Sequence, residues 1–362
     1  MPTRASVPPD ALFSYHVDAL PRPFTGPGTL HLRFPQLRPL GKALAVLLDS
    51  PWAFTRDRNL VSIRVAPHEL IRVLETVAAR LTHAEQGEVR VLFEPDGATQ
   101  LADYFESGSL LRFLARRLTG WLLEMIRQNR LFSVFQPIVS AADGRLFGHE
   151  CLVRGLDQGE LIAASRILQV AGGAGLLFQT DQAARCSAIR GAARYKLPGK
   201  IFINFSPTAF DDPVHGLKHT VALLDELGIE RRQVVFEVIE SERIVDLDYL
   251  EGMLGYYRKL DFEVALDDVG SGYSSLNVLQ RLRPDYVKLD AQLIRNVDAD
   301  PYKAVLTSKL LEASAQLGVR TVAEGVESEG EHRWLRAHGA NYLQGYHFAR
   351  PASPPPAVHC AA

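Results

Sequence analysis

Cysteine is scarce in this chain: three residues in 362, at Cys151, Cys186 and Cys360. So small and odd a set cannot staple a disulfide framework, and it suits a reducing compartment. No apolar run approaches the ~20 residues that cross a bilayer. The opening MPTRASVPPD lacks the apolar core of a secretory signal. These absences predict a cytosolic protein with no membrane span. A charge bias is missing too. The formal net charge of -2 excludes a general polyanion binder, so duplex nucleic acid is not an expected partner.

What is present is ordinary globular composition, 47% hydrophobic and 23% charged. The chain is longer than one α/β barrel needs, which is roughly 250 residues. Residues 1–30 are rich in proline and polar side chains and read as an irregular lead. Residues 31–105 carry a small α/β pattern. VSIRV alternates through Val61, Ile63 and Val65. PHELIRVLETVAARL puts Leu70, Val73, Leu74, Val77 and Leu81 at helical spacing behind Pro67. EVRVLF alternates through Val89, Val91 and Phe93, and EPDG is a turn signal. This segment has no phosphate-binding loop, metal spacing or redox pair. It reads as a sensory or packing domain, where a regulator of unknown identity would act. Residues 106–130 read as a linking helix with a stripe of Leu111, Leu114, Leu118, Trp121 and Met125. Such a stripe packs on the neighbouring domain or on a second protomer.

From 131 to 351, strand and helix patterns alternate. Strands are expected near 133–139, 146–153, 200–204, 233–238, 262–267, 285–289, 319–323 and 341–343, with helical stretches between the later ones. Regular alternation of this kind argues a (β/α)8 barrel. Only a short turn around Ala142–Arg145 joins the first two strands, and a parallel crossover needs a dozen or more residues. Those two strands are therefore expected to be antiparallel. The tail, 352–362, is proline-rich and reads as disordered.

The chemistry sits where the strands stop. Glu150, Asn204, Glu237, Asp267, Asp268, Lys288, Glu324 and Gln344 each lie at or near such a point. In a parallel barrel, strand ends converge at one mouth. Five of these residues are carboxylates and none is histidine, a set that suits hard cations such as Mg²⁺ or Mn²⁺. Arg154 shares a strand face with Glu150, so it is either a phosphate contact or half of an interior ion pair. His149 and Cys151 point the other way and read as packing residues. Adjacent Asp267 and Asp268 cannot both face inward on a regular strand. Gly270 and Gly272 are expected to let the backbone turn. Each position has a plainer alternative: an Asx-turn for the aspartates and Asn204, a salt bridge for Lys288, a loop brace or cap for Glu240. Glu327 is read as holding the backbone of a helix start.

The ordered segments FQPIV, ECLVR, INFSP, FEVIE, LDDVGSGYSSL, DYVKLD, TVAEGVES and LQGYHFARP resemble those of the EAL family of cyclic di-GMP phosphodiesterases. The resemblance covers residues 131–351. It implies a TIM-like barrel with one antiparallel strand, behind the small α/β domain. It also implies hydrolysis of cyclic di-GMP to linear pGpG, which lowers a bacterial second messenger, with two Mg²⁺ or Mn²⁺ ions. By position, Glu150, Asn204, Glu237 and Asp267 look like ligands of one ion. Asp267, Asp268 and Glu324 look like ligands of the other. Lys288 would orient the attacking water, and Glu324 is the candidate base. Gln136, Arg154 and Gln344 would contact substrate, and Glu240 would hold the loop at 268–275. A homodimer through the barrel is implied.

Two departures stand out. Cys151 replaces the alanine of the family's name-giving triplet, and Val269 replaces the usual phenylalanine of the metal-binding loop. Two other functions compete with the enzyme. One is a receptor that holds cyclic di-GMP with weak turnover or none. The other makes Lys288 a Schiff-base lysine, which surrounding carboxylates would disfavour by keeping it protonated.

Overall fold

A computed structural model describes residues 26–96, 108–118, 120–207, 213–239, 247–270 and 275–358. The chain divides into two compact units. The smaller takes its described residues from Asp18–Glu124 and Leu168–Leu177, the larger from Met125–Ile167 and Phe178–Ala362. Among the described residues, no helix is long and apolar enough to cross a membrane.

The smaller unit is a sheet of β1 (Gly28–Arg33), β2 (Phe54–Asp57), β3 (Leu60–Val65), β4 (Arg90–Pro95) and β5 (Gly108–Ser109), ordered β2-β3-β1-β4-β5. Every pairing is antiparallel. Alternation along β1 buries Leu30 and Leu32 beside Ile63, Val61, Phe93 and Val91. Helix Leu70–Ala78 lays Leu70, Val73, Leu74 and Val77 on this core, as its spacing predicted. A second helix, Leu37–Leu48, adds Leu40, Ala43 and Leu47. Sequence reading missed it because Pro39 and Gly41 interrupt it. Pro39 is tolerated because first-turn N–H groups have no intrahelical partner. The irregular lead placed at 1–30 ends sooner than expected, since Gly28–Leu30 are already strand.

In the segment read as a linking helix, Leu110–Leu118 and Gly120–Arg127 are helical. The buried side chains are Leu110, Leu122, Met125 and Ile126. Of the expected stripe, Met125 is buried and Leu111, Leu114 and Trp121 are half-buried.

In the larger unit, eight described strands close a barrel: β6 (Leu131–Ser140), β7 (Leu146–Asp157), β9 (Lys200–Phe205), β10 (Val234–Ile239), β11 (Glu263–Val269), β12 (Tyr286–Leu289), β13 (Arg320–Ala323) and β14 (Tyr342–Leu343). β6 runs antiparallel to both neighbours, β7 and β14. The remaining barrel pairs are parallel. The short strand β8 (Glu160–Ile162) folds back on β7 and was not anticipated. Its turn places Gln158 and Gly159 at φ 46° and 84°, the signature of a two-residue hairpin loop. The tail expected to be disordered starts otherwise: Ala352 exchanges backbone hydrogen bonds with Phe135.

Ile138, Phe202, Val235, Ala265, Tyr286 and Val322 form a buried layer across the barrel, with Phe147 and Tyr342 packed on it. Phe147 and Tyr342 stack with centroids 3.7 Å apart. Below them Glu263 receives Lys200 at 2.6 Å, the Tyr286 hydroxyl at 2.9 Å and Arg320 at 3.1 Å. One end of the barrel is thus plugged by rings and a polar clasp. Asn204, Glu237, Asp267, Lys288, Glu324 and Gln344 each follow a ring-layer residue by two positions, so they share its inward face at the other end.

Gly199 and Gly228 give a test of what holds the strand starts. Both adopt left-handed backbone, at φ 75° and 68°. A Cβ on Gly228 meets open space, whereas one on Gly199 runs into the Phe147 carbonyl oxygen. Gly228→Ala should cost about 1–2 kcal/mol. Gly199→Ala should cost at least about 1 kcal/mol more, through overpacking. Urea unfolding of both variants checks this, and equal losses would show that the Phe147 segment moves aside freely.

Candidate functional site

The strand ends converge on Lys288. Its Nζ lies 2.7 Å from Glu237 Oε1, 2.7 Å from Glu324 Oε1, 3.2 Å from Asp267 Oδ1 and 3.6 Å from Glu150 Oε1. Amides hold Glu150 from the side. Gln344 Nε2 donates to its Oε2 at 2.5 Å, and Asn204 Nδ2 donates to its Oε1 at 3.2 Å. Gln344 also donates to Gln136 Oε1 at 3.1 Å. Gln136 faces Glu150 directly across the β6–β7 ladder.

Asp268 enters by a route the sequence did not suggest. The β11–β12 register shifts between Leu266 and Val269, which marks a bulge. Asp268 itself takes left-handed backbone, φ 59°. Aspartate tolerates that conformation better than most residues. The bulge lets two successive aspartates turn to one side, and Gly270 just beyond it is also left-handed, at φ 103°. Ligand atoms of Asp267, Asp268 and Glu324 lie within 4.8 Å of one another.

Five carboxylates therefore face one buried ammonium. Burial pushes Glu324 up to about 8, helped by the charges of Asp267 and Glu150. Burial, then the neighbouring Asp267, pushes Asp268 up to about 6. Glu237 is raised well above its ordinary value, chiefly by burial. Burial would also raise Glu150, but Lys288, Gln344 and Asn204 outweigh it and hold that carboxyl low. For Lys288 burial works against the charge, yet the surrounding carboxylates raise it well above its ordinary value. A lysine so firmly protonated is a poor Schiff-base nucleophile.

The donor set fits hard divalent cations. It is all oxygen, apart from the one ammonium. Glu237 is fully buried, and among the described residues its oxygens have no partner beyond the 2.7 Å contact with Lys288. A buried carboxylate left in that condition calls for more positive charge than one lysine supplies.

Other expected residues fall elsewhere. Arg154 is half-buried and donates to the Val153 carbonyl at 2.8 Å. It makes no ion pair with Glu150 among the described residues, so the interior pair considered above does not form. Glu240 and part of the loop at 268–275 lie outside the described residues. Glu327 does not hold a helix start. Ser328 and Glu331 cap helix Glu329–Ala337 as a capping box, and Glu327 pairs with Arg295. The sequence signal was Ser-x-x-Glu at 328–331. Cys151 is buried, and burial, then the charges of Glu150 and Glu237, raise its thiol well above the ordinary value, which leaves it inert. A second cluster, Glu329, His332 and His347, escaped sequence reading because its two histidines are far apart in the chain.

A family model described as the EAL domain matches residues 119–351. The probable cyclic di-GMP phosphodiesterase PdeG of Escherichia coli (strain K12) is 30% identical over 237 residues, 64% of this chain and 46% of that protein. An uncharacterized signaling protein of Caulobacter vibrioides is 31% identical over 239 residues, 66% of this chain and 29% of that protein. The chain thus spans less than half the length of either relative. The crystal structure of a standalone EAL protein from Vibrio cholerae O395, in its c-di-GMP-bound form, superposes with a TM-score of 0.58 at 35% identity, covering 63% of this chain and 95% of that one. The family model covers more than half of the chain and the barrel superposes on a solved EAL structure, and the chain belongs to the EAL domain family.

Proposed function

We propose that this protein hydrolyses one phosphodiester of cyclic di-GMP to give linear pGpG, with two Mg²⁺ or Mn²⁺ ions. The observation that carries this reading is the crowd of carboxylates around Lys288 at the barrel mouth. Glu150, Asn204, Glu237 and Asp267 would hold one ion. Asp267, Asp268 and Glu324 would hold the other. The substrate assignment draws support from PdeG, named as a probable cyclic di-GMP phosphodiesterase, and from the c-di-GMP-bound Vibrio cholerae protein.

When bound, the two ions supply the charge that makes water a nucleophile near neutral pH and steadies the phosphate. The chain's own groups do the rest. Glu324 accepts the proton that water loses as its oxygen bonds to phosphorus. The bond from phosphorus to the 3′ oxygen then breaks, and the proton that Glu324 took up returns through solvent to that oxygen, which leaves as a hydroxyl. The product keeps the phosphate on its 5′ end. Lys288 places one fixed cation among the ligands and holds Glu237 and Glu324 in register. Gln344 and Gln136 brace Glu150 and offer amides to the substrate, and Arg154 offers a guanidinium to a phosphate oxygen. Glu240 would brace the loop that follows Asp268, as the family resemblance implies. The homodimer draws support from helix Pro301–Leu317, whose Tyr302, Val305 and Leu306 are 83%, 60% and 57% exposed at helical spacing.

Purified protein should convert cyclic di-GMP to pGpG in Mg²⁺ or Mn²⁺. EDTA should abolish turnover, and Ca²⁺, less demanding of octahedral geometry, should inhibit. Turnover that survives EDTA sinks the metal assignment, and binding without turnover in Mn²⁺ makes the protein a receptor.

Glu237→Gln should lower kcat by at least about a hundredfold, the upper end of what disturbing a ligand's neighbours costs. In EDTA the same variant should melt higher than wild type, because it removes a poorly compensated buried charge. A lower melting point would show that Glu237 stabilises the metal-free barrel.

Without metal, folded Glu324 keeps its proton up to about pH 8, against an ordinary value of 4.5. The folded state then holds more protons than the unfolded one in that window, so metal-free stability should fall as pH rises through it. Melting scans in EDTA should show this slope, flattened in Glu324→Gln. An unchanged slope in the variant would rule out Glu324 as its source.

A further inference from the structure

A second set of ligand side chains comes together where the loops after β13 and β14 meet. Glu329 and His332 lie nearly one turn apart at the start of helix Glu329–Ala337, on one face. His347 comes from the loop after β14. His347 Nε2 lies 3.3 Å from Glu329 Oε2, and His332 Nδ1 lies 3.8 Å from the same oxygen. One ligand atom from each residue lies within 4.8 Å of the other two. His332 Nδ1 is buried and makes no hydrogen bond among the described residues. These separations exceed a good hydrogen bond, which spans about 2.7–3.2 Å. They approach the spacing of ligands around one tetrahedral ion, about 3.4 Å for bonds near 2.1 Å.

We propose that Glu329, His332 and His347 form a binding site for a divalent cation of the zinc class, with the fourth position open to water. Two imidazoles and one carboxylate select a borderline ion, whereas Mg²⁺ takes oxygen donors and keeps its water. The site is therefore distinct in chemistry from the oxygen-only mouth around Lys288. Phe348 walls it: the His332 and His347 rings meet it edge-on, at 5.4 and 4.9 Å. Arg333 Nε sits 3.6 Å from the other oxygen of Glu329 and orients that carboxylate.

The ion would tie two loops that already share main-chain bonds. Val326 N donates to Gln344 O at 3.0 Å, and His347 N donates to Val326 O at 3.0 Å. Those loops follow Glu324 and Gln344. Zinc should therefore raise the melting temperature even when the carboxylate mouth is saturated with Mg²⁺.

The test uses full-length protein in excess Mg²⁺ with less than one equivalent of Zn²⁺. X-ray absorption on wild type should show two imidazoles per zinc. His332→Ala and His347→Ala should each weaken zinc binding at least about tenfold, the smallest loss usual when even a ligand's neighbour is removed. Asp267→Asn should leave both affinity and imidazole signature unchanged. Zinc bound through oxygen alone overturns the proposal, whether or not the variants fold. So does an imidazole signature that persists in both histidine variants.

Discussion

Lys288 and the carboxylates of Glu150, Glu237, Asp267 and Glu324 are held together where little water reaches, the lysine 1% exposed and Glu237 not at all. Their attractions do not gather them. Burying one poorly matched charge costs several kcal/mol, and here like charges crowd each other as well. The groups stay because they hang from separate strands whose positions are set by backbone ladders. The barrel must therefore be stabilised elsewhere, and the ring layer below the site does that. Phe202, Tyr286, Phe147 and Tyr342 fill the plugged end, and Glu263 clasps it through Lys200, Tyr286 and Arg320. Burial alone would raise the Glu263 carboxyl, but these three donors reverse that and hold it low. The barrel thus has one end stabilised by matched contacts and one end where matching is left incomplete.

Main-chain geometry carries the precision of the incomplete end. The bulge at Asp268 puts two consecutive aspartates to use. Gly345 presses on the Val326 backbone so closely that a Cβ has no room. This contact fixes Gln344, one residue earlier, before any ligand arrives. Gln344 then fixes Glu150. The order of control runs from backbone to amide to carboxylate, so the acids themselves need little mutual stabilisation.

Much of this was legible in the sequence. Every barrel strand was, because apolar runs recur at a spacing that only repeated units give, and all but the first carry a polar residue at or near their ends. The antiparallel β6 was legible from a turn too short for a crossover. What escaped has common physical causes. Helix Leu37–Leu48 hides Pro39 and Gly41 in its first turns, where helix breakers cost little. β8 depends on a hairpin through Gln158–Gly159, a weak turn signal. The bulge is invisible because a register shift belongs to two strands at once. Glu327 and Glu331 compete for one helix start, and Glu331 wins through the reciprocal geometry of a capping box. The histidine pair is joined only by tertiary contact.

Charge counting links the single lysine to the number of cations proposed for the mouth. Five carboxylates against one ammonium leave four negative charges if all ionise. One divalent ion would halve that excess, and the remaining acids would keep their protons, as the raised Glu324 and Asp268 do without metal. Two divalent ions close the balance, and then no carboxylate has reason to stay protonated except where it takes a proton from water. Under the proposed reaction a substrate phosphate would add further negative charge. Arg154, on the Glu150 face of β7 and half-buried, is a cation that would meet it. Lys288 is therefore best understood as part of the ligand shell's charge rather than as a group reserved for substrate: without it, two ions would face one carboxylate too many.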